Sequence, residues 1–233
     1  MDAYAERRES LYSVKFCSDG RAAPLLQSRI MAIKALMIDV DGVLVDGRPE
    51  DGRHWQTSLE YDLAISASGL HQELFAPYWE DIILGRIELM DPLRPVLHRI
   101  APNAIPERFV KHWFEHDSRV VLPLLHGLSS LRSESTRVYL ATNQEHMRAA
   151  YLMQQMGLSK HIDGMFYSAQ LGVKKPEPAF FTSVSSRVGL RADELLLIDD
   201  SRSNVDAARN AGWRVVHRTK EHSPNDLHSI LNR

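Results

Sequence analysis

Residues 36–46 read Leu36-Met37-Ile38-Asp39-Val40-Asp41-Gly42-Val43-Leu44-Val45-Asp46. The first three are an apolar run of the kind that forms a buried parallel strand, and it ends abruptly in charge. Two acids one residue apart at the carboxyl end of such a strand put negative charge where open α/β sheets build their sites. Buried carboxylates are costly unless they are paired, hydrogen-bonded or bound to a metal. That cost is the physical reason to expect function at Asp39 and Asp41.

Working outward, four further strands are expected near 137–141, 165–167, 194–198 and 213–217, with the first near 34–39. Helical patterns fall between and after the later ones, near 144–156, 177–188, 203–211 and 224–232. Ala211-Gly212 closes one of these helices, with glycine in the usual position after the last turn. Strand and helix alternating at this spacing predict an α/β protein with a doubly wound parallel sheet. The interval 47–120 breaks the alternation. Leu59, Leu63, Ile65 and Leu70 suggest one helix, and Leu74, Tyr78, Ile82 and Ile83 a second that ends near Gly85. Asp91-Pro92 starts a third and Ile105-Pro106-Glu107 a fourth. About 75 residues are far more than a strand-to-helix crossover needs, so they read as an inserted α-helical cap domain. The expected division is a core of 31–46 and 121–233, a cap of 47–120, and residues 1–30 apart from both. That first stretch is polar and charged, without the apolar segment of a secretory signal. It reads as a natural extension, a mis-assigned start or a remnant of cloning, and its composition and terminal position lead us to expect poor order.

The chain has 233 residues, is 44% hydrophobic and 25% charged, and carries a net charge of −2. This suits a soluble globular protein with a sizeable core, and argues against a general binder of nucleic acid or anionic membrane. The single cysteine, Cys17, forms no intramolecular disulfide, which makes a reducing, cytoplasmic setting the default.

Three more clusters end strands. Leu140-Ala141-Thr142-Asn143 offers a hydroxyl and backbone amides at the start of the next helix, where anions bind, although alone it reads first as a helix cap. In Gly172-Val173-Lys174-Lys175-Pro176-Glu177-Pro178, Pro176 restricts Lys175 to an extended conformation and Pro178 suits a first helical turn. A lysine so held can grip a phosphate or a carboxylate, although a lone Lys-Lys-Pro is more often a solvated loop. Leu195-Leu196-Leu197-Ile198-Asp199-Asp200-Ser201 repeats the opening pattern, with Asn204 following. Two acid pairs, Asp39/Asp41 and Asp199/Asp200, suggest convergence on one oxygen-only cation site, which suits Mg²⁺.

In order, these clusters resemble the motifs of the haloacid dehalogenase superfamily of hydrolases. Asp39-Val40-Asp41-Gly42-Val43 matches the first motif, Thr142 the second, Lys175 before Pro176 the third, and Asp199-Asp200 with Asn204 the fourth. The resemblance spans residues 34–217, with the helical insert where the family places its first type of cap. It implies that Asp39 is a nucleophile forming an aspartyl-phosphate, and that Asp41 is the general acid and base. It implies that Thr142, the Asn143 amide and Lys175 bind or neutralise the phosphoryl group. Asp39, the Asp41 carbonyl and Asp200 would hold Mg²⁺, with Asp199 behind them or as a further contributor. Dehalogenases do not need an acid two residues after the nucleophile, so Asp41 favours phosphate chemistry on a small phosphorylated metabolite, a sugar phosphate leading. A sugar-phosphate mutase, a 2-haloacid dehalogenase and a catalytically silent binding protein on the same scaffold are the alternatives.

Candidate substrate contacts in the insert are His54, Trp55, Tyr61 and Arg86, although a Trp there is more often core and Arg86 equally suits a surface ion pair. Asp46 reads as a cap on the connection into the insert. His112 and His116 have the spacing of a metal-binding pair on a helix, with no third ligand visible in the sequence.

Overall fold

The computed structural model describes residues 32–133 and 136–219. The expected helix at 224–232 and the stretch 1–30 lie outside the described residues. Five strands form one sheet: β1 Ala35–Ile38, β2 Arg137–Thr142, β3 Gly164–Tyr167, β4 Leu195–Asp199 and β5 Arg214–His217. All are parallel, in the order β3-β2-β1-β4-β5. Every strand expected from the sequence is present within about a residue at each end, the usual uncertainty of such boundaries.

The apolar strands are long enough in hydrophobic sequence to be buried on both faces, and β1 is. Leu36 and Ile38 join Val138, Leu140, Leu196 and Ile198 on one face. Ala35 and Met37 join Leu195, Leu197, Phe180 and Phe181 on the other. Burying each large side chain contributes about 1.5–3 kcal/mol, which is why both faces must be covered by helices. Among the described helices of the insert, α1 is Leu59–Leu63, α2 Ala67–Leu70, α3 Ala76–Ile83, α4 Met90–Ile100 and α5 Pro106–His116. Those that follow are α6 Leu122–Ser133, α7 His146–Ala150, α8 Ser168–Leu171, α9 Pro178–Val188 and α10 Arg202–Asn210. Leu124, Leu128 and Leu131 of α6 cover the first face, and Phe180, Phe181 and Ala208 of α9 and α10 the second. Helix α6 was not expected. Its spacing of leucines at 124, 128 and 131 was the available signal.

From β1 the chain builds outward to β2 and β3, then crosses back to place β4 on the other side of β1. The strand order therefore reverses beside β1, and the crevice this opens lies at the carboxyl ends of β1, β2 and β4.

The insert has its own apolar cluster, centred on Trp55, Leu59, Leu70, Leu93, Phe109 and Trp113. Trp55 stacks on Trp113 with ring centroids 5.1 Å apart. The expected single helix over Leu59–Leu70 is corrected to two, because Ala64 sits at φ 55 in the left-handed region and ends α1. Helix α2 instead runs on through a wider turn at His71–Phe75 into α3. The chain leaves and re-enters the core side by side: the Asp46 amide donates to the Arg119 carbonyl at 3.0 Å, and Arg119 Nε donates to the Asp46 carbonyl at 2.7 Å. Asp46 thus ties the outgoing segment to the returning one. Gly85 lies against the core, where a Cβ would fall 2.4 Å from the Ala169 carbonyl oxygen.

Candidate active site

Strand β1 carries Asp39 into the crevice while the Asp39 amide still donates to the Ile198 carbonyl of β4 at 3.0 Å. The Asp39 Oδ1 accepts from the Val40 amide at 2.8 Å and lies 3.0 Å from Lys175 Nζ. Lys175 is buried, and its Nζ also donates to Asp199 Oδ2 at 2.5 Å. One ammonium therefore bridges two carboxylates from neighbouring strands. Burial alone would lower the Lys175 pKa, but Asp39 and Asp199 outweigh it and hold the group charged. Burial pushes Asp39 up, Lys175 pulls it back, and Asp199 and Asp41 add to the rise.

The position of Lys175 is set from β2. The Asn143 side chain receives the Lys175 amide at Oδ1, 2.8 Å, and gives Nδ2 to the Lys175 carbonyl at 2.9 Å. Asn143 therefore has only its backbone free for an anion. The Lys175–Pro176 peptide is cis, and Pro178 opens α9 as its sequence suggests. Thr142 is the last residue of β2 and is buried at the same mouth.

The two acids of β4 have different duties. Asp199 is wholly buried, with Oδ1 accepting from the Ser201 amide at 2.9 Å and from Asn204 at 3.1 Å. Its Oδ2 accepts from Lys175 and from Asn204 at 3.2 Å. Both oxygens are thus filled by donors, as burial of a carboxylate requires. Asp200 is exposed, and burial of its carboxyl and the adjacent Asp199 push it up. His217 Nε2 donates to the Asp200 carbonyl at 2.8 Å and anchors its backbone. Gly42, at φ +76, makes room for it: a Cβ there would stand 2.3 Å from Asp200 Oδ2.

Asp39, Asp199 and Asp200 each offer a carboxylate oxygen within 4.8 Å of the other two. Three acids against one lysine leave excess negative charge. An oxygen-only donor set of this kind fits a hard cation such as Mg²⁺, since neither imidazole nor thiolate is present in the set. Because the Asp199 oxygens are taken by donors, Asp39 and Asp200 are the acids of this set that could hold such an ion.

Asp41, two residues past Asp39, projects into the mouth. Its Oδ2 accepts from Gln144 Nε2 at 2.6 Å. The residue keeps exposed surface, yet protein crowds its carboxyl, and this burial pushes its pKa up to about 6. Asp117 adds to the rise, while Arg148 and the Gln144 bond oppose it. Sequence reasoning missed Gln144, Asp117 and Arg148. Gln144 adjoins the second motif and was within sight. Asp117 and Arg148 had no sequence signal, because their relation to Asp41 is made only by folding.

Of the candidate contacts in the insert, Trp55 is buried in the insert's own core. His54 caps a turn by accepting from the Gln56 amide. Arg86 pairs with Asp81 at 2.9 Å on the surface, and Tyr61 is 94% exposed. A cleft of about 820 Å³ opens beside the acids, lined by Gly42, Asp46, Arg119, Asp200 and Arg218 among others. A hollow of about 410 Å³ between α9 and α10, lined by Phe181 and Ala207, lies away from the carboxylates and carries none of this chemistry.

Comparison with known proteins agrees with this architecture. A family model described as haloacid dehalogenase-like hydrolase matches residues 33–212. The chain therefore belongs to the haloacid dehalogenase-like hydrolases. Its curated relatives place it among the phosphatases of that family. It is 26% identical to a phosphorylated carbohydrates phosphatase of Thermotoga maritima, over 85% of this chain and 90% of that one. It is also 26% identical to a phosphoglycolate phosphatase of Pectobacterium atrosepticum, over 82% of each. A HAD family enzyme from Bacteroides thetaiotaomicron, solved as a magnesium complex, superposes with a TM-score of 0.72 at 19% identity. It covers 87% of this chain and 100% of that one, and shows the shared fold. No described helix is long and apolar enough to cross a membrane.

Proposed function

We propose that this protein is a Mg²⁺-dependent phosphatase of small phosphorylated metabolites, acting through an aspartyl-phosphate on Asp39. The observation that carries the proposal is the Asp39 carboxylate held 3.0 Å from Lys175 at the end of the central strand, with a second acid, Asp41, two residues on. Asp39 attacks phosphorus, and the bond to the leaving oxygen breaks as Asp41 gives that oxygen its proton. Asp41, now ionised, takes a proton from water as the water attacks the phosphorylated Asp39. This returns both acids to their starting state and releases phosphate. A positioned acid/base of this kind contributes typically 10²–10⁴-fold, by order of magnitude. Lys175 offsets charge on Asp39 and on the transferring group, and Thr142 with the Asn143 backbone amide holds phosphoryl oxygens. A Mg²⁺ held by Asp39, the Asp41 carbonyl and Asp200 would supply further positive charge for those oxygens.

The insert, residues 47–120, acts in this proposal as a cap that excludes water and selects substrate. Sugar phosphates are the leading substrate class, supported by the name of the Thermotoga relative. Phosphoglycolate is the second reading, supported by the names of several other relatives. A cytoplasmic setting belongs to the same proposal and rests on the single Cys17.

The test is phosphate release from an aryl phosphate and from a panel of sugar phosphates and phosphoglycolate, with and without Mg²⁺. Turnover that needs Mg²⁺ and disappears in Asp39→Asn is expected. Unimpaired turnover by Asp39→Asn would overturn the nucleophile, and a well-folded protein without turnover on any phosphate would favour a silent scaffold.

A further inference from the structure

A second group of metal-ligand residues lies in the helical insert and takes no part in the chemistry above. His112 and His116 are one turn apart on α5, so both imidazoles project from the same side of the helix. Folding brings Asp62 of α1 to them. Asp62 Oδ2 lies 3.8 Å from His112 Nδ1. One ligand atom from each of the three residues lies within 4.8 Å of the other two. The imidazole rings stack with centroids 4.0 Å apart.

Two features of these side chains suit a cation better than a packed core. His112 is 7% exposed, and its Nε2 is buried with no hydrogen-bond partner. Its Nδ1 stands beyond hydrogen-bond reach of Asp62, so no carboxylate fixes which nitrogen carries the proton. Then there is His116, whose Nδ1 lies 2.9 Å from the His112 carbonyl oxygen. A carbonyl only accepts, so Nδ1 holds the proton and Nε2 presents its lone pair. Ligating histidines are commonly oriented in this way.

We propose that Asp62, His112 and His116 form a site for a divalent transition metal of the zinc class, which pins α1 to α5 within the insert. Two imidazoles and one carboxylate select against Mg²⁺ and Ca²⁺ and suit Zn²⁺ or Co²⁺, with water in the remaining position. The site is structural and separate from the oxygen-only set on β1 and β4. It stands whether or not the phosphatase reading does.

The experiment uses untagged, full-length protein stripped with a chelator and returned to excess Mg²⁺. Zn²⁺ is titrated by calorimetry, and Co²⁺ is followed by its visible absorption. Binding of Zn²⁺ in the presence of Mg²⁺, a rise in melting temperature with Zn²⁺, and nitrogen-ligated Co²⁺ spectra are expected. Asp62→Asn and His116→Ala, both at half-buried positions, should lose these signals while keeping the wild-type circular dichroism. Asp200→Asn should keep them. Absence of Zn²⁺ binding under excess Mg²⁺ would overturn the proposal. So would binding that survives His116→Ala, or that vanishes in Asp200→Asn alone.

Discussion

The Asn143 side chain clasps the backbone of Lys175 from both sides, accepting its amide proton at 2.8 Å and donating to its carbonyl at 2.9 Å. The residue that follows one strand thereby aims the lysine that neutralises the acids of two others. Loss of both bonds should let Lys175 drift from Asp39. Asn143→Ala is expected to lower kcat on the order of 100-fold, the scale of an ångström's misplacement in an active site. KM should change far less. Steady-state kinetics check this, and a wild-type kcat in a folded Asn143→Ala protein would refute the positioning role.

Asp41 is the proton donor in the proposed first step, and its pKa stands near 6 because of burial. As pH rises through about 6 the acid ionises, so kcat/KM for alkyl phosphates should fall. Aryl phosphates, whose leaving groups need little protonation, should hold their rate to higher pH. The same shift has a stability consequence. The folded pKa lies above the unfolded one, so protonation favours the folded state and ionisation at higher pH opposes it. Asp41→Asn should therefore raise the melting temperature at pH 8 without metal, and the gain should vanish near pH 4. Calorimetry at the two pH values reads this directly. A gain that grew as pH fell would contradict the assignment.

Arg148 is buried, with Nη1 3.1 Å from the Phe114 carbonyl and Nη2 bonded to the Asp117 carbonyl. Its guanidinium also lies over the rings of Phe114 and Tyr151. It thus joins α7 to the end of α5, where the insert returns to the core. Arg148→Met should cost about 3–5 kcal/mol, because it leaves carbonyls and Asp117 without their donor. Arg148→Lys should recover little, since an ammonium lacks the planar fork that reaches both carbonyls. Urea unfolding of the two variants measures both values.

Gly42 keeps the space in which the Asp200 carboxylate stands. Gly42→Ala would place a methyl group 2.3 Å from Asp200 Oδ2 and strain a backbone at φ +76. The Mg²⁺ concentration for half-maximal activity should rise, with little recovery at high substrate. An unchanged Mg²⁺ dependence would remove Asp200 from the proposed ion set.

The five strands were legible because Leu36-Met37-Ile38 and Leu195-Leu196-Leu197-Ile198 are too apolar for any place but a sheet buried on both faces. The helices of the insert were legible in outline. The break after α1 was not, because a left-handed alanine leaves no mark in a hydrophobic pattern. Thr142, Asn143 and Lys175 were legible as an ordered set of motifs. The side-chain duty of Asn143 was not, since 32 residues separate the partners.

Hydrophobic run lengths and the residues that end them depend on neighbours in the chain, and so the sequence alone determined the sheet, the insert and the residues that enter the crevice. Partnership depends on distance in space. Only the tertiary structure decided that Lys175 bridges Asp39 and Asp199, that Asp199 spends its oxygens on donors while Asp200 stays open, and that Asp62 lies beside His112 and His116. Burial supplies the reason for Lys175 and Asp199. A charge removed from water must find a partner, and for Lys175 and its two acids the reversal of strand order beside β1 brings those partners together.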